Sequence, residues 1–150
     1  MDIKKHIIAL GFVPKNGTNG IYHKIYVDYA IEIDFEKQSI NYGSGIAADS
    51  KTTQNFSDAE NFVVLECVDR LLAKGYKPQN IVLEKTWPSG HGTSGRLDIC
   101  VNRKDGTPYM LIECKAYGKE YNKELAKIRK DGGQLFTYFQ LSGSKADVLM

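Results

Sequence analysis

The 150-residue sequence predicts an α/β fold in which helices flank a mixed central sheet, with a small antiparallel β extension at the amino terminus. Short runs of β-branched and aromatic residues, separated by turn signals, occupy the region before residue 43. A long amphipathic helical segment follows at 57–74. The remaining order of strand, strand hairpin, helix and strand mixes both kinds of element, as an α/β domain does.

The first 55 residues predict a helix and a β-meander. Residues 2–10 are expected to form a short helix that ends at Gly11, and the Asn-Gly-Thr-Asn-Gly cluster at 16–20 is a turn signal. Alternating apolar and polar residues then predict three strands, at 21–28, 29–35 and 39–42. We expect the aromatic residues of this meander to pack within the sheet rather than to stack on nucleobases. Residues 43–55, rich in small and polar residues, are interpreted as a connector.

The helix predicted from Ser57 to Lys74 carries a candidate acid. Ser57 with Glu60 three residues later is typical of a capping box, and Gly75 is a stop signal. At 100° per residue, Glu60 flanks the apolar face, whereas Glu66 points away from it. Two roles therefore stay open for Glu60, a third active-site acid and a helix cap, and they are compatible with each other.

The stretch from residue 96 to residue 115 is the most informative part of the sequence. Two apolar runs, 97–101 and 109–115, flank a turn segment that contains Asp-Gly and Pro, which predicts a β-hairpin. Asp98, Glu113 and Lys115 lie inside these runs. Charged residues within apolar strands are costly unless they are paired or bind a metal, so three of them indicate a site.

The hairpin geometry brings these charged residues together. Because side chains alternate along a strand, Glu113 and Lys115 share one face and Cys114 points to the other. Asp98 meets them at the end of the hairpin away from the turn. Two carboxylates and the backbone carbonyl of Cys114 form a hard oxygen site suited to Mg²⁺, and Lys115 is able to position water or stabilise the transition state. The alternative is a cross-strand ion-pair ladder on a half-exposed sheet.

The segments around the hairpin complete the order of elements. Residues 81–84 predict a strand, and the glycine-rich stretch 87–95 predicts a loop at the rim of the cleft, in which we interpret His91 as solvated. The stretch lacks the Gly-Lys-Ser/Thr ending of a phosphate-binding loop. Helices are predicted at 119–130 and 134–140, and a strand at 146–150. Since that strand begins so close to the last residue, we expect the chain to be a fragment of a longer protein.

The combined pattern resembles the PD-(D/E)xK nucleases. Asp98 followed by Glu113-Cys114-Lys115 matches their motif, although Leu97 stands where the motif has proline. Gln134 and Tyr138, one turn apart on the helix after the hairpin, resemble the RecB-like subgroup. That subgroup includes the amino-terminal nuclease domains of type I restriction enzymes and of nuclease–methyltransferase fusions. The resemblance covers roughly 56–150, which we take as a nuclease core that follows a 1–55 extension.

The resemblance implies a restriction-endonuclease-like fold and a metal-dependent DNA endonuclease of a restriction–modification system. Asp98, Glu113 and the Cys114 carbonyl would ligate Mg²⁺, for which Mn²⁺ would substitute, and Lys115 would orient or help to activate water. Glu60 and Gln134 would support the metal ligands and Lys115 from the helices, with Tyr138 beside them. Expected partners are double-stranded DNA and motor, methyltransferase and specificity domains or subunits, so ATP or S-adenosylmethionine would act only through regions absent from this chain.

Two rival functions remain open. One is a related nuclease that acts on another nucleic acid or on a branched structure. The other is a non-catalytic DNA-binding or docking module that retains the fold. The intact set of two acids and one lysine favours the enzyme, because a degenerate module tends to lose one of them.

Composition limits the class of protein. The chain has no apolar run long enough for a membrane span and no secretory signal, so we expect a cytoplasmic protein. Its net charge of +2 is too small to identify a nucleic-acid-binding surface by itself. The three cysteines have no framework spacing and are expected to be reduced, and no Cys/His spacing indicates zinc.

Overall fold

The computed structural model describes residues 2–87 and 95–150. The helices and strands, in chain order, are α1 (Ile3–Ala9), β1 (Val13–Pro14), β2 (Ile21–Tyr26), β3 (Tyr29–Asp34), β4 (Ser39–Asn41), β5 (Ala47–Ala48), α2 (Glu60–Ala73), β6 (Ile81–Thr86), β7 (Arg96–Asn102), β8 (Pro108–Ile112), α3 (Lys119–Asp131), α4 (Gly133–Leu141) and β9 (Val148–Leu149). The strands form a four-stranded antiparallel sheet and a five-stranded mixed sheet. The predicted α/β fold with an amino-terminal antiparallel extension is confirmed. The loop predicted at 87–95 falls mostly on 88–94, which includes His91 and lies outside the described residues.

The five-stranded sheet has the order β5-β6-β7-β8-β9. Strand β7 is antiparallel to both of its neighbours, β6 and β8, and the two outer strands run parallel to their neighbours. After the turn at Asp105-Gly106, β8 pairs antiparallel with β7, as the hairpin prediction requires. The predicted carboxyl-terminal strand is also confirmed, since Val148 and Leu149 pair with Met110 and Leu111.

The amino-terminal sheet is a meander of β1 to β4, preceded by α1, which ends before Gly11. Its aromatic side chains pack internally. Tyr22 and Phe35 meet edge to face with ring centroids 5.3 Å apart, and the Tyr29 hydroxyl donates to the Tyr42 carbonyl. The preference for sheet packing over base stacking is therefore confirmed for these rings.

A continuous apolar core joins the two sheets through α2. It includes Ile7, Ile31 and Ile33 from the amino-terminal region and Val64 and Val68 from α2. A polar contact reinforces the junction: Asp69 is 6% exposed and lies 2.5 Å from both the Tyr26 hydroxyl and Lys24 Nζ. Because a buried carboxylate is stable only when paired, this contact holds the meander on α2.

The expected connector at 43–55 is partly wrong, because Ala47–Ala48 forms β5 at the edge of the central sheet. Two alanines carry little β-propensity, so the pairing with β6 rather than local sequence creates this strand. Glu84 on β6 stabilises the connection. Its side chain is 1% exposed and accepts hydrogen bonds from the N–H and hydroxyl of Thr52. The backbone φ of Glu84 is 51°.

The predicted start of α2 is wrong. The helix begins at Glu60, and its N-cap, Ala59, has no side chain that can accept a capping hydrogen bond. The Ser57 hydroxyl donates to Asn55 Oδ1, and Asp58 Oδ1 accepts from the Glu60 N–H at 2.9 Å. Ser57 therefore stabilises the preceding turn instead of the helix. The predicted end of the helix and its buried face are confirmed by Gly75 with φ +87° and by burial of Val64, Val68, Leu71 and Leu72.

Among the described residues, no helix combines the length and the apolar character needed to cross a membrane.

Candidate active site

Adjacent strands of the central sheet position the candidate residues. Asp98 lies on β7, whereas Glu113, Cys114 and Lys115 directly follow β8. The prediction that the strand continues to Lys115 is wrong, because β8 ends at Ile112. Beyond it, the Glu113 N–H donates to the Met150 carbonyl at 2.9 Å, so the edge next to β9 remains fixed.

The hairpin register places Asp98 beside the Glu113–Lys115 segment. Ile99 pairs with Ile112 in antiparallel register, so Asp98, the position before Ile99 on β7, faces Glu113, the first residue after β8. The backbone N–H of Cys114 donates to Asp98 Oδ2 at 2.6 Å, while the Cys114 side chain is 2% exposed in the core. A side-chain carboxylate thus replaces the backbone carbonyl that would continue the strand ladder.

Lys115 gathers three oxygen atoms around its ammonium group. Its Nζ lies 2.6 Å from Glu113 Oε1, 3.0 Å from the Cys114 carbonyl oxygen and 3.4 Å from Glu60 Oε1. Glu60 comes from the first turn of α2, so the contact joins that helix to the hairpin. The structure therefore brings together Asp98, Glu113, Cys114, Lys115 and Glu60.

Burial makes the two central carboxyl groups hard to ionise. The Glu113 side chain is 6% exposed, and burial together with the charge of Asp98 raises its pKa to about 7, despite the opposing effect of Lys115. Burial also raises the pKa of Asp98 to about 6, and the Cys114 N–H and the Lys115 charge oppose this shift. Desolvation lowers the pKa of Lys115, but its contact with Glu113 and the charges of Glu113, Asp98 and Glu60 raise it above the ordinary lysine value overall.

The arrangement leaves one buried oxygen without a donor. Glu113 Oε2 is buried and accepts no hydrogen bond. Within 2–87 and 95–150, no three His, Cys, Asp or Glu side chains are gathered closely enough to hold a metal ion by themselves. A cation would therefore have two carboxylates and a carbonyl from the protein, completed by water or phosphate, which is the ligand set that Mg²⁺ prefers. The residues present fit that ion.

The two α4 residues differ in their relation to the acids. Tyr138 is buried, donates from its hydroxyl to the Arg96 carbonyl at 2.9 Å and has a pKa raised to about 12, by burial and by the charges of Glu113 and Asp98. Gln134 is exposed, and its backbone N–H donates to Glu124 Oε1 at 2.9 Å. In the described part of the chain, the Gln134 side chain makes no hydrogen bond to the acids or to Lys115.

Arg96 is a charged neighbour of the site that the sequence analysis missed. It stands two residues before Asp98 on β7, and its charge contributes to lowering the pKa of that carboxyl. Its Nε lies 3.8 Å from Glu84 Oε1. The alternation of side chains along β7 would have found Arg96, because residues two apart share a face.

A cavity of about 340 Å³ opens beside Glu113 and Lys115. Its wall is mostly apolar and comes from α2, the end of β8, α3 and α4, with Tyr121 and Leu135 among the lining residues. The two charged residues therefore stand at the border between a polar cluster and an apolar cleft.

Comparison with protein families gives a match to the family described as type I restriction enzyme R protein N terminus. The match spans 59–143, which is more than half of the chain and reaches from the start of α2 to the end of α4. All seven candidate site residues lie inside it: Glu60, Asp98, Glu113, Cys114, Lys115, Gln134 and Tyr138. No curated protein shows a significant match to the chain.

Proposed function

Because the chain belongs to the family of type I restriction enzyme R protein N-termini, and is thus a domain of a restriction–modification system, we propose that it is a PD-(D/E)xK endonuclease that hydrolyses DNA phosphodiester bonds. One observation carries this proposal. The Lys115 ammonium contacts Glu113 and Glu60, while Asp98 is fixed to the backbone between Glu113 and Lys115. Two acids and a lysine at one end of a hairpin can hold a divalent metal ion and stabilise the charge that develops during phosphodiester hydrolysis.

Asp98, Glu113 and the Cys114 carbonyl would hold Mg²⁺, with Mn²⁺ as a substitute. The unpartnered Glu113 Oε2 supports this assignment, since a buried carboxylate oxygen otherwise lacks compensation for its desolvation. When bound, the ion would supply positive charge that stabilises the negative charge developing on the phosphate.

The residues of the chain have separate roles in this proposal. Hydrolysis joins a water oxygen to phosphorus and breaks one phosphorus–oxygen ester bond, and a proton from the water ends on the departing oxygen as a hydroxyl group. Lys115, whose raised pKa keeps it protonated, donates hydrogen bonds to that water or to the phosphate oxygens. Glu60 holds the ammonium from the side of α2. The exposure of Gln134 favours contact with the DNA phosphate, and Tyr138 positions the start of β7.

Double-stranded DNA is the proposed substrate, which implies action in the cytoplasm. Motor, methyltransferase and specificity domains or subunits are the proposed partners, and ATP or S-adenosylmethionine would act through them alone. Helix α3 offers exposed basic side chains next to the site, since Lys119, Lys123 and Lys127 recur every four residues along it. Such a face supplies contacts to a phosphate backbone.

Anomalous diffraction from crystals soaked in Mn²⁺ tests the proposal directly. We expect a peak within about 2.5 Å of carboxylate oxygens of Asp98 and Glu113, and no peak in crystals of Asp98→Asn. Crystals of Asp105→Asn, which changes an exposed acid in the same hairpin, are the matched control and should keep the peak. A parent crystal without the peak would favour the non-catalytic DNA-binding or docking module instead.

A further inference from the structure

Two cysteine side chains meet behind the candidate active site. Cys67 on α2 and Cys114 after β8 are separated by 47 positions in sequence, yet their Sγ atoms lie 3.9 Å apart. Both are free thiols. Cys114 is also the residue whose backbone N–H and carbonyl bind Asp98 and Lys115. The thiol pair therefore contacts the same short segment that organises the acids.

We propose that Cys67 and Cys114 form a site of reversible oxidation, at which hydrogen peroxide closes a disulfide between α2 and the Glu113–Lys115 segment. A disulfide requires a sulfur–sulfur distance of about 2.05 Å, so the two sulfurs must approach by roughly 2 Å. We expect rotation of the two side chains, with local backbone shifts, to supply this approach.

Access distinguishes the two thiols. Cys67 is half-buried and lines two cavities, of about 340 Å³ and about 390 Å³. A peroxide molecule, with two heavy atoms, fits either of them. Cys114 is 2% exposed, so Cys67 meets the oxidant first and Cys114 resolves the product. Cys100 is 0% exposed and its sulfur lies 3.3 Å from Asn102 Oδ1, which makes it a natural internal control.

The chemistry balances with one peroxide. The Cys67 sulfur attacks one peroxide oxygen, the oxygen–oxygen bond breaks, and the other oxygen leaves as water, which gives a sulfenic acid at Cys67. The Cys114 sulfur then attacks the Cys67 sulfur, the sulfur–oxygen bond breaks, and a second water leaves. Two thiols are oxidised, one peroxide is reduced to two waters, and both thiol protons end in those waters.

A disulfide at this position would change the metal site, and this consequence rests on the proposed function. Closing the bond draws Cys114 towards α2, although its N–H must stay 2.6 Å from Asp98 Oδ2 and its carbonyl near Lys115. We therefore expect the oxidised chain to bind Mn²⁺ more weakly than the reduced chain, with recovery after treatment with a dithiol.

Peptide mapping under non-reducing conditions tests the site itself. Tryptic cleavage places the three cysteines on different peptides, 52–70, 97–103 and 105–115. After hydrogen peroxide we expect the intact chain to lose two hydrogens and peptides 52–70 and 105–115 to become linked. Cys100→Ser should keep the link, whereas Cys67→Ser and Cys114→Ser should lose it. Oxidation of Cys67 to sulfinic acid without a linked peptide, or a link through Cys100, would overturn the proposal.

Melting temperature in Mn²⁺ then tests the coupling separately. We expect the Mn²⁺-induced shift of the oxidised parent to fall below about half of the reduced value, while Cys67→Ser treated with peroxide keeps the full shift. An unchanged shift in the linked chain would overturn the coupling to the metal site. The absence of any shift in the reduced chain would instead contradict the proposed function, and the linked peptide would still establish the oxidation site.

Discussion

The backbone N–H of Cys114 lies 2.6 Å from Asp98 Oδ2 and donates a hydrogen bond to it. This short, charge-assisted contact joins the acid of β7 to the residue between Glu113 and Lys115. The relative position of the two acids is therefore fixed by the backbone as well as by the sheet. An asparagine at position 98 retains an acceptor for this N–H and removes only the charge, so the structural and chemical roles of Asp98 are separable.

Lys115→Ala should abolish DNA cleavage and leave the fold intact. The variant removes the ammonium that contacts Glu113 and Glu60, and the loss of one charge-stabilising donor typically slows a reaction by about 10²–10³-fold. Initial rates of supercoiled-plasmid cleavage in Mg²⁺ measure the effect, and circular dichroism monitors the fold. Lys104→Ala, which changes an exposed lysine in the turn of the same hairpin, is the matched control. Cleavage by Lys115→Ala at the parental rate would refute the assignment.

Asp98→Asn should remove the stabilisation of the protein by divalent metal. A ligand at 10 times its Kd stabilises the native state by about 1.4 kcal/mol, which corresponds to a rise in Tm of roughly 3–6 °C for a chain of this size. We expect this rise in the parent and in Asp105→Asn, but not in Asp98→Asn. Differential scanning fluorimetry with Mg²⁺ and Mn²⁺ checks the prediction. An equal shift in Asp98→Asn would remove that carboxylate from the ligand set.

The metal-free protein should lose stability as pH rises through the range in which Glu113 ionises. Burial raises the pKa of Glu113 from 4.5 to about 7, so the native state holds this proton more tightly than the unfolded state does. The contribution of Glu113 is therefore most favourable below its unfolded pKa, declines as pH rises and levels off above its folded pKa.

Glu113→Gln isolates that contribution from the other acids of the chain. In the presence of a chelator, we compare the free energy of unfolding of the variant with that of the parent. The difference in favour of the variant should increase by on the order of 1–3 kcal/mol as the pH rises from about 5 to about 8. Urea unfolding at several pH values measures the difference. A difference that stays constant over this range would show that burial does not raise the pKa of Glu113.

Glu60→Gln should weaken metal-dependent activity without changing the stability of α2. Glu60 Oε1 lies 3.4 Å from Lys115 Nζ, and the first N–H of the helix is bound by Asp58 rather than by the Glu60 side chain. Glu66→Gln is the control on the same helix, because Glu66 pairs with Arg70. We expect cleavage by Glu60→Gln to fall by about tenfold and that by Glu66→Gln to stay near the parental rate. Equal cleavage rates for the two variants would show that Glu60 does not contribute to cleavage.

The sequence was sufficient for the elements whose signals are local. Alternation predicted the amino-terminal meander, the Asp-Gly turn predicted the β7–β8 hairpin, and Gly75 predicted the end of α2. The same periodicity placed Glu113 and Lys115 on one side and Cys114 on the other. These features depend on neighbours within a few residues, so they can be predicted without knowledge of the fold.

Features that depend on distant contacts were not predicted. Strand β5 exists because Ala47 and Ala48 pair with β6, and α2 starts late because Asn55 accepts from Ser57. The contact between Cys67 and Cys114 joins positions 47 residues apart. No local pattern of residue types reports such a pairing, which follows only from the way in which α2 packs on the central sheet.

Tyr138→Phe should destabilise the protein without altering its metal response. The Tyr138 hydroxyl donates to the Arg96 carbonyl at 2.9 Å, and its ring lies 6.2 Å from that of Trp87, so the residue fastens α4 to the start of β7. Phenylalanine keeps the ring but leaves the carbonyl without this donor, at a cost of about 0.5–1.5 kcal/mol. Urea unfolding measures the loss, and Tyr117→Phe, whose ring is 92% exposed, should change nothing. A loss of the Mn²⁺-induced shift in Tyr138→Phe would instead show that the hydroxyl acts on the acids of the site.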